Sequence, residues 1–330
     1  MRILFWGTPT FAVPSLRALG DEGFEVVGVV TQPDRPAGRG RRLRPSAVKT
    51  VALDLGIEVF TPDRPRTDEF VDAIRALEPD ISVVVAYGHI LRQEVLDVPK
   101  LGSINVHASL LPKLRGAAPV NWAIARGHSE TGVTIMRMVR AMDAGAIIHQ
   151  IREPILSGET ASELTTRLSE LGAEAVVEAL ALLGVGEGDE VGQDHDEATY
   201  APKVDRATAR IDWTRSNREV ETHVRGMDSV PGAWSELAGR PVKFFRPFPV
   251  TVGDIGVVAE SDPTPNRGAP LALGDPQPGV VLRAEPEGGV LVQTGEGAVL
   301  FREVQPPSKR RMSATDWIIG RGVEQGQRFE

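Results

Sequence analysis

The chain has 330 residues, enough for about two domains of ordinary size, each able to bury its own core. Its 41% apolar and 25% charged residues sit near globular averages, which excludes a fibre or a disordered chain. A net charge of −8 argues against a protein that coats nucleic acid, and zero cysteines exclude a disulfide framework, thiolate metal sites and thiol nucleophiles, in keeping with a cytoplasmic protein. No export signal is visible in the opening MRILFWGTP, and charged residues interrupt every apolar stretch before it reaches membrane-spanning length. The charge average hides one exception. Arg35 to Lys49 holds five Arg, one Lys and no acid.

In chain order, Arg2 to Trp6 is a short apolar run ended by Gly7-Thr8-Pro9, and Val13, Leu16 and Leu19 follow at helical spacing, so the chain opens as strand, turn and helix. Glu25 to Val30 and Ile81 to Ala86 are further buried-type strands, with the amphipathic stretch Asp68 to Leu77 between them. This alternation predicts a doubly wound, mostly parallel α/β sheet, Rossmann-like in plan. Ser103 to Val106 and Val133 to Met138 add strands, Pro119 to Ala125 a helix, and Ile147 and Ile148 an apolar pair. Glu159 to Leu183 reads as a long amphipathic helix capped by Thr160 and ended at Gly184.

From Gly184 to Ala198 the composition turns to Gly with Glu and Asp and the hydrophobic period disappears, which predicts a linker. A helix through about Arg225 precedes short strand-like pieces at 234–237, 241–245, 280–283, 290–293 and 298–303, separated by Gly and Pro, as in a small OB-like β-barrel. Gly253 to Gly279 reads as a surface loop. The domain expectation is therefore 1–188, a linker at 189–208, and 209–330.

In an open parallel sheet, ligands bind beyond the carboxyl ends of the strands. Gly7-Thr8-Pro9-Thr10 lacks the second glycine of a dinucleotide fingerprint, and no phosphate-binding P-loop motif is present. Asn105 and His107, two apart at a strand end, point the same way, and Asp143 sits in a turn after another strand, from which a carboxylate can approach the imidazole. Asn and a protonated His can donate to a developing oxyanion while Asp shifts the proton balance, a set suited to acyl transfer. Spacing alone does not separate this from a hydrogen-bonded turn histidine and a turn-forming aspartate. One His and one Asp without a third ligand make a poor zinc site, so no metal is expected.

The runs NVHASLLPKLRGAAP from Asn105, ETGVTIMRM from Glu130 and MDAG from Met142 resemble the signature of formyltransferases that use 10-formyltetrahydrofolate. FWGTPTFAVPSL, TQPDRPAGRGRRLRPSAVK, AYGHIL, YAPKVDRATARIDW and VRGMDSVPGAW extend the likeness over nearly the whole chain and narrow it to the methionyl-tRNA formyltransferase family. The resemblance implies a catalytic N-terminal domain, a barrel that helps hold tRNA, and formylation of the amino group of methionyl initiator tRNA. It implies Asn105, His107 and Asp143 as the catalytic trio, with Asp143 orienting His107 or relaying a proton. Ser109, Leu110, Leu111 and Pro112 belong with the folate site, and Tyr87, Gly88, His89, Ile90 and Leu91 with the pterin pocket. Arg35, Arg39, Arg41, Arg42, Arg44 and Lys49 then form a tRNA-contacting loop, continued by Lys203, Arg206 and Arg210, by Lys243, and by Lys309, Arg310 and Arg311.

Two departures from the family pattern lie at Asp228-Ser229-Val230 and Ser308. Rival expectations are a folate-dependent formyltransferase acting on glycinamide ribonucleotide or an amino sugar, and an RNA-binding module without chemistry. A monomer is expected.

Overall fold

The computed structural model describes residues 1–37, 42–186, 189–250 and 277–330. They divide into two units, one of residues 1–119, 130–154 and 165–202, the other of 120–129, 155–164 and 203–330. Two short segments from the first half of the sequence are thus grouped with the later residues.

In the first unit, the apolar runs read from sequence form parallel strands buried on both faces. β1 (Arg2–Gly7) leads through α1 (Val13–Asp21) to β2 (Glu25–Val30). The basic stretch includes a hairpin of β3 (Arg35–Ala37) and β4 (Arg42–Arg44), followed by α2 (Ala47–Asp54) and the two-residue β5 (Val59–Phe60). α3 (Asp68–Ala76) starts at Thr67, whose hydroxyl accepts the Phe70 N–H, and carries Asp68 and Glu69 in its first turn, where the helix dipole favours them. β6 (Ile81–Val85), α4 (Gln93–Leu96), β7 (Ser103–His107), β8 (Glu130–Arg137) and β9 (Ile147–Pro154) complete a seven-stranded sheet of order β5-β2-β1-β6-β7-β8-β9. The strands pair in parallel from β5 to β7, and β8 and β9 are antiparallel additions. On one face Leu4, Trp6, Phe70, Ile74, Val84 and Tyr87 pack into a cluster in which the Trp6 ring meets Phe70 and Tyr87 edge to face.

α5 (Pro119–Ala125) and α6 (Ala161–Val185) each run from one unit into the other. Thr160 caps α6 as expected: its hydroxyl accepts the Glu163 N–H at 3.3 Å and the Glu163 carboxylate accepts the Thr160 N–H at 2.9 Å.

The second unit holds α7 (Asn217–Met227) and a curled antiparallel sheet built from β10 (Trp234–Leu237), β11 (Arg240–Val250), β12 (Val281–Glu285), β13 (Gly289–Gln293) and β14 (Ala298–Gln305) in the order β10-β11-β14-β13-β12. β15 (Met312–Ser313) pairs with β14 and leads into α8 (Ala314–Ile319). This is the small barrel-like domain expected from the spaced strands. Its core is aromatic, with the Trp213 and Phe244 rings in contact with each other and with Phe301 and Phe329. The expected loop Gly253–Gly279 lies almost entirely outside the described residues.

α7 begins with a full capping box, Ser216 and Glu219 each accepting the other's backbone N–H. Ser216→Ala is expected to cost about 1 kcal/mol, read as a lower urea midpoint with unchanged slope.

Candidate active site

β1, β6 and β7 are adjacent and parallel, so their carboxyl ends bring Gly7-Thr8, Ala86 to Gly88 and Asn105 to His107 to one edge of the first unit. The strand order reverses between β1 and β6, where an open α/β sheet leaves a crevice. Thr8 Oγ1 and Gln32 Nε2 both donate to the Tyr87 carbonyl at 2.9 Å, which fixes the β6 end against the β1 and β2 ends.

Asn105 and His107 lie on the same side of β7, opposite Met136 and Thr134 of β8. His107 is only 6% exposed. Its Nε2 is 3.0 Å from the Leu114 carbonyl, which can only accept, so Nε2 carries the proton. Nδ1 then faces Asp143 Oδ2 at 3.8 Å, too far for a direct hydrogen bond. The Asn105 side chain takes no partner among the described residues, so its amide is available to a ligand.

Asp143 sits at φ +50°, and its Oδ2 accepts the Gly116 N–H at 2.7 Å. Gly145 must be glycine, because a Cβ there would lie 1.9 Å from the Arg137 carbonyl oxygen. Ser109 to Pro112 are anchored from β8 and β9. Thr134 Oγ1 donates to the Ser109 carbonyl at 2.6 Å and accepts the Leu111 N–H at 3.1 Å, and Gln150 Nε2 donates to the Leu111 carbonyl at 2.9 Å.

The residues expected at the pterin pocket divide between core and surface. The Tyr87 and Leu91 side chains are buried in the cluster with Trp6, whereas Gly88, His89 and the 94%-exposed Ile90 are at the surface. Burial of the Tyr87 hydroxyl, which has no partner among the described residues, raises its pKa to about 12, so it stays a neutral phenol and keeps its proton at neutral pH.

The segment expected to be a linker supplies what sequence reading missed. α6 runs on through Val185, Val191 exchanges backbone hydrogen bonds with Ile147, and Gln193 is buried. Gln193 Nε2 donates to the Asp143 and Gly145 carbonyls at 2.9 and 2.7 Å, and its Oε1 accepts from Arg115 Nε and Nη2 at 3.1 and 2.5 Å. Thr199 Oγ1 accepts the Leu114 N–H at 2.9 Å, and backbone bonds join Arg115 to Thr199 and Ala201. Nothing in the composition of 184–198 signals this, because the pairing is tertiary.

Of the expected tRNA contacts, Arg39 and Arg41 lie outside the described residues. Arg42 and Arg44 are exposed on β4, Arg35 donates to Gln32 Oε1 at 2.5 Å, and Lys49 pairs with Asp34 at 2.8 Å. In the second unit Lys203, Lys309 and Arg310 are exposed, and Arg206 and Arg210 lie over the Trp234 ring at 4.2 and 5.4 Å. Lys243 and Arg311 are committed internally, Lys243 to the Pro231 carbonyl and Arg311 to Asp228, Glu303 and the Phe245 ring. The same unit has a cavity of about 1590 Å³ beside Trp122 whose walls include Arg210, Arg215, Arg218 and Arg246. Desolvation holds the His223 imidazole there below its usual range, so the positive charge comes from the arginines.

Residues 1–180 match the formyl transferase family and residues 203–322 the formyl transferase C-terminal domain family. Fold and site together define a formyltransferase. The chain is 42% identical to the methionyl-tRNA formyltransferase of Geobacter sulfurreducens, over all of this chain and 96% of that relative. It is 44% identical to that of Symbiobacterium thermophilum, over all of this chain and 95% of that one. It belongs to the methionyl-tRNA formyltransferase family. A solved structure of HypX from Aquifex aeolicus in complex with tetrahydrofolic acid shares the fold, with a TM-score of 0.62 at 21% identity over 97% of this chain and 47% of that one.

Proposed function

We propose that the carboxyl edge of β1, β6 and β7 transfers the formyl group of 10-formyltetrahydrofolate to the α-amino group of methionyl initiator tRNA, with Asn105, His107 and Asp143 around the reacting carbon. The observation that carries this reading is an Asn105 amide without a partner among the described residues beside a His107 ring whose Nε2 is already engaged and whose Nδ1 faces a carboxylate.

The neutral amine attacks the formyl carbon, and the carbonyl electron pair moves to oxygen. The Asn105 amide and the protonated His107 Nδ1 donate to that oxyanion, with the Asp143 carboxylate 3.8 Å from the ring nitrogen. Collapse re-forms the C=O bond and breaks the bond from carbon to folate N10, which takes up a proton as the attacking nitrogen gives one to solvent. The tRNA leaves N-formylated.

Ser109, Leu110, Leu111 and Pro112, with the surface backbone of Gly88 to Ile90, are assigned to the folate. Residues 1–188 are assigned to the catalytic domain, 189–208 to a segment that first packs along it and then leads out of it, and 209–330 to a tRNA-holding domain, in a cytoplasmic monomer. The exposed Arg42 and Arg44 take acceptor-end phosphates, and the arginine-lined cavity of the second unit supports contact with further phosphates.

The test is transfer of labelled formyl from the folate to methionyl-tRNA, initiator against elongator. Formylation of only a ribonucleotide or sugar amine overturns the reading. Arg42→Ala with Arg44→Ala is expected to raise KM for the tRNA about tenfold, leave kcat within about twofold, and flatten the salt dependence of kcat/KM by about one unit of log–log slope per lost phosphate contact.

A further inference from the structure

Resting on the formyl-transfer reading, we infer that Gln193, oriented by Arg115, is a positioning residue that sets the place of Asp143 relative to His107. The Gln193 amide is saturated. Its two N–H groups go to the Asp143 and Gly145 carbonyls, and its oxygen accepts twice from Arg115. The orientation has no alternative, because the flipped amide would set oxygen against two carbonyl oxygens.

Arg115 is 4% exposed and forms an ion pair with no carboxylate among the described residues. Its partners are Gln193 and, at 3.0 Å from Nη2, His195 Nδ1. A buried guanidinium without a counter-charge is costly unless its hydrogen bonds are well made, and here they hold the amide in place. The residues on either side of Arg115 touch the catalytic pair directly. The Leu114 carbonyl holds His107 Nε2, and the Gly116 N–H holds Asp143 Oδ2. The main chain at 114–116 therefore fixes the imidazole and the carboxylate, while the Arg115 side chain, through Gln193, fixes the backbone on which the carboxylate stands. The 3.8 Å separation of Nδ1 and Oδ2 is set by this closed network.

Gln193→Glu isolates the role. It keeps an acceptor for Arg115 and supplies the missing counter-charge, but it replaces both donors to the Asp143 loop with an oxygen. In the full-length protein it is expected to lower kcat about 10- to 100-fold, the scale for displacing a catalytic group by about 1 Å. KM for methionyl-tRNA and for the folate should stay within about threefold, and the thermal midpoint should hold. The His107 imidazole ¹⁵N resonances should move, which gives a readout without turnover. The near-isosteric Gln193→Met is measured beside it and stands in if Gln193→Glu does not fold.

Unchanged kcat and unchanged His107 resonances in a folded variant overturn the inference. So does a kcat loss that only follows a loss of thermal stability, with the resonances unmoved. Wild-type protein that leaves methionyl-tRNA unformylated overturns the functional reading instead, and the resonance comparison then still decides whether Gln193 positions the pair.

Discussion

Asn105→Ala lowers kcat by about 10²- to 10³-fold and leaves the unfolding midpoint unchanged. The magnitude is that of removing one preorganised donor to an oxyanion. The unchanged stability follows from the side chain's lack of an internal partner among the described residues, since truncation leaves no protein group newly unsatisfied. His107→Ala makes the contrasting case. It loses a comparable factor in kcat, but it also removes the donor to the buried Leu114 carbonyl and is expected to cost about 1–3 kcal/mol of stability. Steady-state kinetics with charged initiator tRNA and thermal denaturation of both purified variants check the pair of outcomes. A folded Asn105→Ala protein with near-normal turnover removes that residue from the mechanism.

Gly116→Ala damages fold and catalysis together. Gly116 adopts φ +117°, a conformation open to glycine, and a Cβ there would lie 2.7 Å from the Ala201 carbonyl oxygen. That oxygen cannot swing away freely, because it accepts the Ala118 N–H while the Ala201 N–H donates to the Arg115 carbonyl. The backbone conformation alone costs about 1–3 kcal/mol, which corresponds to a midpoint lower by several degrees for a unit of this size. The same N–H holds Asp143, so kcat is expected to fall at least about tenfold as the carboxylate shifts. Gly102→Ala is the control. It also has positive φ, at +74°, but meets nothing within 4 Å, so it should lower the midpoint modestly and keep kcat. Equal kinetics in the two variants would show that the Gly116 contact does not govern Asp143.

The sequence made the sheet legible where apolar runs are unbroken, as at Ile3 to Trp6, and the strand-end pair Asn105 and His107 legible through the two-residue period of β7. It hid β9, because after Ile147 and Ile148 that strand mixes His, Gln, Arg and Glu with only partial burial. It hid α8, which has just six residues. The misread stretch matters most. Gly, Glu and Asp from 184 to 198 look like a solvated connection, yet Val191 bridges Ile147 and Gln193 reaches the Asp143 turn. A polar side chain that is satisfied by a distant backbone leaves no periodic trace, so Arg115 and Gln193 emerge only once the chain is folded.

The way residues 193–201 run along 112–118 also sets where this chain tolerates a change of length. Polar, glycine-rich connections ordinarily accept insertions, and composition alone would offer the whole span from Gly184 to Ala198 for a tag or a reporter. Between Gln193 and Ala201, one added residue would move Thr199 off Leu114 and Ala201 off Arg115, and the proposed oxyanion site at Asn105 and His107 would lose its register. The permissive stretch is shorter than its chemistry suggests, and a graft placed a few residues too late would silence the enzyme while both aromatic cores stayed folded.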